Sequence, residues 1–566
     1  MPFRQFTWAA FAALVFFGAA AAAEARTSDT ARHYMVAAAH PLAAEAGSEM
    51  LRAGGSAVDA AIAVQLVLGL VEPQSSGIGG GAFLLHWSAH EKRVRSYDGR
   101  ETAPAAAKPE RFLGADGKPL AFMDAVVNGK SVGVPGVLRM LELAHRRHGR
   151  IAWAKLFQPA IRLAEEGFPM PPRLHRLLAE ESALRGVPAA RALYYGADDR
   201  PRPVGSRIAN PDYAATLRAI AAFGADAFYS GAVAEDIVRA VGAHARPGDM
   251  ALADLEGYRA LEREPVCGPY RERRVCGMGP PSSGGIALLQ MLGVLERLEF
   301  AREQANSVPA LHLFAEAGRL AYADRARYLA DPDFVPQPVA GLLEPAYLDA
   351  RARLVGSRSM GQAPPGMPRG APAALGEMRE QAAAGTTHFS IVDARGDAVA
   401  MTSSIEGPFG SRIMVRGFLL NNQLTDFAFV PSEGGRPVAN RAEPGKRPRS
   451  SMAPTLVFGR DGRLEIALGS PGGSAIMNYV AKTLLAIVEW RMDAHVAAAI
   501  PNFGSRNGPT EIERGTPYEA LAPGLRERGH EVRFIELTSG MHVVQRVPGG
   551  WRGAADPRRD GAARGG

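Results

Sequence analysis

A serine or threonine hydroxyl is a weak nucleophile until a base takes its proton, and one stretch of this chain can supply both groups at a single residue. Thr386-Thr387-His388-Phe389-Ser390-Ile391-Val392-Asp393 is rich in the β-branched and aromatic residues that suit a strand. The run breaks at Ala394-Arg395-Gly396 and resumes from Asp397 to Ser404, which predicts a hairpin. Pairing centred on Arg395 sets Asp393 opposite Asp397 and Thr386 opposite Ser404, so two hydroxyls lie side by side at the open end. Upstream, residues 356–385 are rich in Gly, Pro and Ala, offer little to bury and predict a flexible tail. Cutting the Gly385-Thr386 bond would give Thr386 a free α-amine of pKa about 8, against about 10.4 for a lysine, able to take the proton of its own hydroxyl. The plainer alternative is a linker running into an ordinary strand.

The elements around this stretch must come from a large chain. At 566 residues and 47% hydrophobic content it is long enough for several domains or one two-part fold with a full core. The net charge of +7 is spread among 65 basic and 58 acidic residues, with no basic run interleaved with aromatics, so the sequence predicts a solvated basic surface and no nucleic-acid partner. Residues 1–25 read as a secretory signal: Arg4 is followed by an apolar Phe6 to Ala23 and a small-residue site at Ala23-Glu24-Ala25. No other stretch is long and apolar enough for a span, so a periplasmic or secreted protein is expected. Cys267 and Cys276 flank a short turn, and either a disulfide or two buried thiols fits the spacing.

Ala37 to Leu70 carries helical spacing interrupted by Gly54-Gly55, and Gly77-Ile78-Gly79-Gly80-Gly81 reads as a tight turn before the strand Phe83 to Trp87. A dinucleotide loop is disfavoured there because Glu72-Pro73-Gln74 stands where a strand should be. Residues 131–260 alternate helices with polar loops. His145 and His148 fall on neighbouring turns without a third ligand, and no metal site is expected. Helices are predicted from Ile286 to Leu298, Ala310 to Leu329 and Ala475 to Glu489, with Asp324 and Arg325 read as a structural pair. Gly550 onward reads as a last strand and tail.

Several ordered segments resemble the gamma-glutamyltransferases, self-processing N-terminal-nucleophile hydrolases. They are Gly54 to Ala61, Gly77 to Gly81, Asp98-Gly99-Arg100-Glu101, Pro280 to Gly285, Thr386 to Ser390, Leu419 to Phe427, Lys446 to Thr455 and Gly469-Ser470-Pro471-Gly472-Gly473-Ser474. The resemblance implies an α+β fold, a four-layer αββα sandwich built from a large subunit (26–385) and a small one (386–566) that form a heterodimer after self-cleavage. It implies a small-molecule γ-glutamyl substrate such as glutathione and no cofactor. Thr386 would be the nucleophile, Ser404 its hydrogen-bonding support, and Gly472 and Gly473 the oxyanion hole. Arg100, Ser450 and Ser451 would hold the α-carboxylate, and Gln423 and Asp426 the α-ammonium.

Read without the resemblance, Arg100 beside Glu101 is a surface pair, the polar cluster Asn421 to Asp426 caps a strand, and Gly472-Gly473 is a plain turn. Three departures from the family pattern stand out. Ser404 replaces a frequent threonine, Glu406 replaces a common substrate-binding asparagine, and the segment from Phe427 to Arg449 is short and lacks the tyrosine of the lidded members. Two rival readings follow: a related acylase taking glutaryl or beta-lactam side chains, and an uncleaved periplasmic binding protein.

Overall fold

A computed structural model describes residues 27–372, 374–378 and 385–566. The expected signal segment at residues 1–25 lies outside the described residues, as do residues 373 and 379–384 of the expected tail. Two seven-stranded sheets form the centre. One runs in spatial order Ser28–Ala31, Gly550–Ala555, His542–Val547, Leu464–Gly469, Thr455–Phe458, Arg273–Gly277, Val266–Tyr270. The other runs Ala562–Gly565, Met35–Ala38, Thr387–Val392, Ala398–Ser404, Gly81–Ser88, Arg93–Gly99, Leu261–Arg263. Every pairing in both is antiparallel.

Side-chain alternation sorts the layers. In Ala398–Ser404, Val399 and Met401 join the cluster beneath the helices Pro41–Arg52, Ala57–Val71 and Val137–His148, while Ala398 and Ala400 join the cluster between the sheets. All fifteen residues of Ala57–Val71 are buried, as an all-round apolar helix requires, and Ser56 and Asp59 cap its start reciprocally. Gly284–Arg297, Val308–Tyr328 and Ile476–Val488 cover the first sheet. The result is the expected αββα sandwich.

The hairpin register is as the sequence predicts: Thr387 pairs with Ser403 and Val392 with Ala398, which places Thr386 beside Ser404. Thr386 and Ser404 share parity with His388 and Thr402, so both hydroxyls belong to the face between the sheets. Cys267 and Cys276 are cross-strand partners joined by a disulfide. Among the described residues no helix is long and apolar enough to cross a membrane.

Four expectations need correction. Residues 356–366 are anchored: His312 Nε2 bonds the Gly356 carbonyl at 2.8 Å, Glu316 accepts from Ser359 Oγ at 2.8 Å and Met360 N at 2.9 Å, and Asp324 accepts from Gly366 N at 2.8 Å. A segment poor in apolar residues gains its order here from buried polar groups of the helix Val308–Tyr328. Asp324 and Arg325 do not pair, because successive helical residues do not face each other. Asp324 accepts from Tyr347 and Gln290, whereas Arg325 donates to Ser283 and Ser451. Ala37 and Ala38 end a strand rather than start a helix. The C-terminal tail contains the strand Ala562–Gly565, whose pairing with Met35–Ala38 depends on residues more than five hundred positions away.

Candidate functional site

The hairpin's open end is packed tightly. A Cβ on Gly80 would lie 2.1 Å from the Ser404 carbonyl oxygen, which is why the Gly77 to Gly81 turn needs glycine there. Thr386 and Ser404 are each 3% exposed, and their hydroxyl oxygens are 3.2 Å apart. In the unbroken chain the Thr386 hydroxyl donates to the Gly385 carbonyl, and Ser404 Oγ donates to the same oxygen at 2.9 Å. Ser404 Oγ in turn accepts from Glu406 N at 2.8 Å.

Arg100 leaves the end of Arg93–Gly99 and is 1% exposed. Its Nε donates to Pro448 O at 3.0 Å and Nη2 to Arg449 O at 3.0 Å, and it pairs with Asp426. Gln423 and Asp426 sit on one 3₁₀ turn, Gln423–Asp426, where Gln423 Nε2 donates to Asp426 at 2.7 Å. Gln423 Oε1 is buried without a hydrogen-bond partner among the described residues. Ser451 Oγ accepts from Arg325 Nη2 at 2.7 Å, and Ser450 Oγ accepts from Met452 N at 3.0 Å, which leaves its own proton to donate.

Glu406 is held in the left-handed region at φ 78°, a strained position for a non-glycine residue, and pairs with Asn422. Burial, then the Asp426 charge, pushes its carboxyl well above the usual range. Burial also raises Glu101, to about 8, and lowers Arg449 to about 10.

Gly472 and Gly473 follow the strand Leu464–Gly469 with φ of 136° and 57°. A Cβ on Gly472 would strike the Tyr479 ring at 2.4 Å. No hydrogen bond among the described residues occupies either amide, so both N–H groups are available to a ligand.

One cavity of about 50 Å³ gathers Gly385, Thr386, Ser404, Glu406, Gln423, Asp426, Arg100, Ser450, Ser451 and Gly473. Gly472 borders the adjoining cavity instead. Sequence reasoning missed Arg325 and Arg449, which also line the first cavity, and Arg559, whose Nη1 donates to Thr386 O at 3.1 Å. Arg449 lay inside a quoted segment and could have been found; Arg325 and Arg559 reach the site only through the fold. His145 and His148 bond separately to Ile151 O and the Tyr97 hydroxyl.

This geometry has close parallels. The family model for Gamma-glutamyltranspeptidase matches residues 43–566. The glutathione hydrolase proenzyme of Bacillus subtilis (strain 168) is 36% identical over 559 residues, covering 95% of this chain and 92% of that one. The acylase ACY 1 proenzyme of Pseudomonas sp. (strain SE83) is 36% identical over 536 residues, covering 93% and 92% respectively. Among solved structures, the cephalosporin acylase from Bacillus halodurans superposes with a TM-score of 0.83 at 26% identity, over 96% of this chain and 97% of that one. With a family match over almost the whole length, the chain belongs to the gamma-glutamyltranspeptidase family.

Proposed function

We propose that this chain is a γ-glutamyltransferase with glutathione hydrolase activity that becomes active by cutting itself between Gly385 and Thr386. The observation that carries the reading is the pair of hydroxyls 3.2 Å apart, both directed at the Gly385 carbonyl, in a cavity that also holds Arg100, Gln423 and Asp426.

Self-cleavage begins when Thr386 Oγ adds to the Gly385 carbonyl carbon while the Ser404 hydroxyl donates to the oxygen that becomes negative. The C–N bond then breaks, the hydroxyl proton ends on the freed Thr386 amine, and an ester joins Gly385 to Thr386 Oγ. Water hydrolyses that ester and restores the hydroxyl. The large subunit (26–385) and small subunit (386–566) remain a heterodimer because both contribute strands to each sheet: Thr387–Val392 pairs with Met35–Ala38, and Thr455–Phe458 with Arg273–Gly277. The first cavity is far smaller than ligand sites of roughly 300–1,000 Å³, and Gly385 forms part of its wall. Departure of Gly385 after cleavage opens the space a γ-glutamyl group needs.

In turnover the Thr386 amine takes the proton of its own hydroxyl, and Oγ attacks the γ-amide carbonyl of glutathione or a related compound. The N–H groups of Gly472 and Gly473 receive the oxyanion. The amide C–N bond breaks, the proton passes to the departing amine, and a γ-glutamyl-threonine ester remains for water or an amino acid or peptide amine to resolve. Arg100, Ser450 and Ser451 face the α-carboxylate; Gln423 Oε1 and Asp426 face the α-ammonium. The disulfide and the Ala-rich residues 1–25 support export to the periplasm or beyond.

An acylase reading is favoured by one observation. Glu406 stands on the cavity wall, where burial works against its charged form and so weakens its pull on a substrate ammonium. Turnover of γ-glutamyl against glutaryl anilides separates the two. The primary test is N-terminal sequencing of the purified protein: a second chain beginning at Thr386 is expected, and Thr386→Ala is expected to stay uncut and inactive. A single uncut wild-type chain that turns over γ-glutamyl anilide would overturn the mechanism.

A further inference from the structure

Thr386 sits one residue outside its own ladder. The strand begins at Thr387, which pairs with Ser403, and on the other edge pairing with Met35–Ala38 begins only at Phe389. Among the described residues, Thr386 to His388 is thus flanked by a strand on one side alone. Cutting the Gly385-Thr386 bond would make it a free chain end, which stays ordered only where something ties it down. Two buried side chains do so. Arg559, from the connection between Gly550–Ala555 and Ala562–Gly565, donates from Nη1 to Thr386 O at 3.1 Å, from Nε to Ser539 O at 3.2 Å and from Nη2 to Thr538 O at 3.4 Å. Its stem is closely packed, since a Cβ on Gly540 would lie 2.7 Å from Arg559 Cδ. Glu72, just past the end of the helix Ala57–Val71, accepts from the Thr387 hydroxyl at 3.1 Å.

The same placement sets the field at the amine that cleavage would release. Within one residue the nitrogen and the carbonyl oxygen are roughly 3 Å apart, so a guanidinium nitrogen 3.1 Å from Thr386 O stands within about 7 Å of that amine. A cation at that range disfavours an ammonium. The other charges near Thr386 do not reverse this. On the cavity side Arg100, Arg325 and Arg449 face Glu406 and Asp426, three guanidiniums to two carboxyls. Behind the strand each carboxyl has a cation or donor of its own: Glu72 has Arg173 at 3.9 Å, Asp556 has Arg558 at 3.0 Å, and Asp560 accepts from Arg173 N at 3.3 Å. The three groups that Arg559 touches are backbone carbonyls, which carry no charge. His388 and His542, between the sheets, are kept neutral by burial, which lowers His542 to about 3, and burial likewise keeps the Tyr479 phenol neutral.

We propose that Arg559 is a positioning residue for the nucleophile: it holds the freed N-terminal threonine in line for attack and keeps its amine unprotonated near neutral pH. The inference rests on the self-cleavage reading above, because it needs the amine that cleavage creates. It adds the group that makes this amine a working base, and that group lies 173 positions further along the chain, on the connection before the last strand.

The test reads the acid limb of kcat/KM against pH, which reports the base of the free enzyme. Processed wild type acting on γ-glutamyl-4-nitroanilide, or on the glutaryl anilide if only that is turned over, is expected to give a limb below the roughly 7.7–8.0 of an ordinary α-amine. Arg559→Met, of similar length and without charge, is expected to raise the limb by about 0.5–1.5 units. It is also expected to cut kcat about 10- to 100-fold with KM within about threefold. Circular dichroism checks the variant's fold and a denaturing gel its cleavage. A protein that is merely loosened loses rate without moving the limb. An unmoved limb in folded, cut Arg559→Met, or a wild-type limb at or above about 8, overturns the proposal. If Arg559→Met does not fold or is not cut, the wild-type limb decides alone. If cut wild type turns over neither anilide, the transfer reading fails instead, and the Thr386 amine is titrated by its rate of reaction with acetic anhydride against pH, judged by the same limits. A wild-type chain left whole on the gel overturns the self-cleavage reading and this one with it.

Discussion

Replacing Ser404 by alanine isolates one hydrogen bond in self-cleavage. Ser404 Oγ accepts from Glu406 N at 2.8 Å, so its proton is free to point at the Gly385 oxygen 2.9 Å away. In the resting chain that bond is an ordinary neutral one, worth about 0.5–1.5 kcal/mol. Once Thr386 Oγ adds to the carbonyl, the same oxygen carries negative charge in a buried site, and losing one such donor costs about 10²- to 10³-fold in rate. Ser404→Ala is therefore expected to slow the disappearance of the full-length chain by that factor. The variant also leaves the Glu406 N–H unpaired, at about 1–3 kcal/mol, which a fold of about 5–15 kcal/mol tolerates. Loss of the precursor band on a denaturing gel gives the rate, and circular dichroism checks the fold. Ser404→Thr, which keeps the hydroxyl, is expected to cleave within about tenfold of wild type. Cleavage of Ser404→Ala within about threefold of wild type, with the fold intact, would refute the reasoning.

The acyl site and its buried charge give two more expectations. Arg100→Lys replaces a fork that donates to Pro448 O and Arg449 O and pairs with Asp426. KM for γ-glutamyl anilide is expected to rise about 10- to 100-fold with a smaller change in kcat, since a lysine presents one ammonium where a planar fork is needed; an unchanged KM would sink the carboxylate-binding role. Burial raises the Glu101 carboxyl from 4.5 to about 8. The folded state thus holds a proton that the unfolded chain releases above about pH 4.5, so stability falls as pH rises through that window, by an amount on the order of 4 kcal/mol near its top. Glu101→Gln is expected to flatten Tm against pH between 5 and 8, and curves that stay parallel to wild type would count against the shift.

Much of the fold was legible because it is written in local patterns. The hairpin register followed from the strand periods of Thr386 to Asp393 and Asp397 to Ser404 about a short glycine-containing turn, and the helices at 284–297, 308–328 and 476–488 followed from apolar spacing. What stayed hidden depends on residues distant in sequence. Ala562–Gly565 is too short and alanine-rich to announce a strand, and it exists because Met35–Ala38 offers an open edge. Residues 356–366 look loose by composition, yet Glu316 and Asp324 hold their backbone from a buried helix. Arg325 could not be told from a helix-surface arginine, since its turn toward Ser283 and Ser451 depends on loops that meet only in three dimensions. The disulfide was open for a related reason: spacing allows it, and only the cross-strand register of Cys267 with Cys276 decides it.

The site also marks where this chain departs from what stability alone would select. Arg100, Glu406, Arg325 and Arg449 are buried around one small cavity with Glu101 buried next to Arg100, and burial works against the charged form of each carboxyl and guanidinium whose titration it shifts. Well-packed apolar residues in their place would often be neutral or stabilising. Glu406 adds a left-handed backbone that a glycine would adopt without strain. Such costs concentrate where ligand recognition needs groups fixed in advance, and the surrounding αββα layers, with the fully buried Ala57–Val71 helix beneath the sheet that contains Thr387–Val392, are what offset them. On the proposed reading, a zwitterionic substrate group would offset part of that cost on arrival by bringing an anion to Arg100, Ser450 and Ser451 and a cation to Gln423 and Asp426. Ligand binding to the processed enzyme should therefore stabilise it more than the sum of exposed contacts would, and an apolar acyl group of equal size should not.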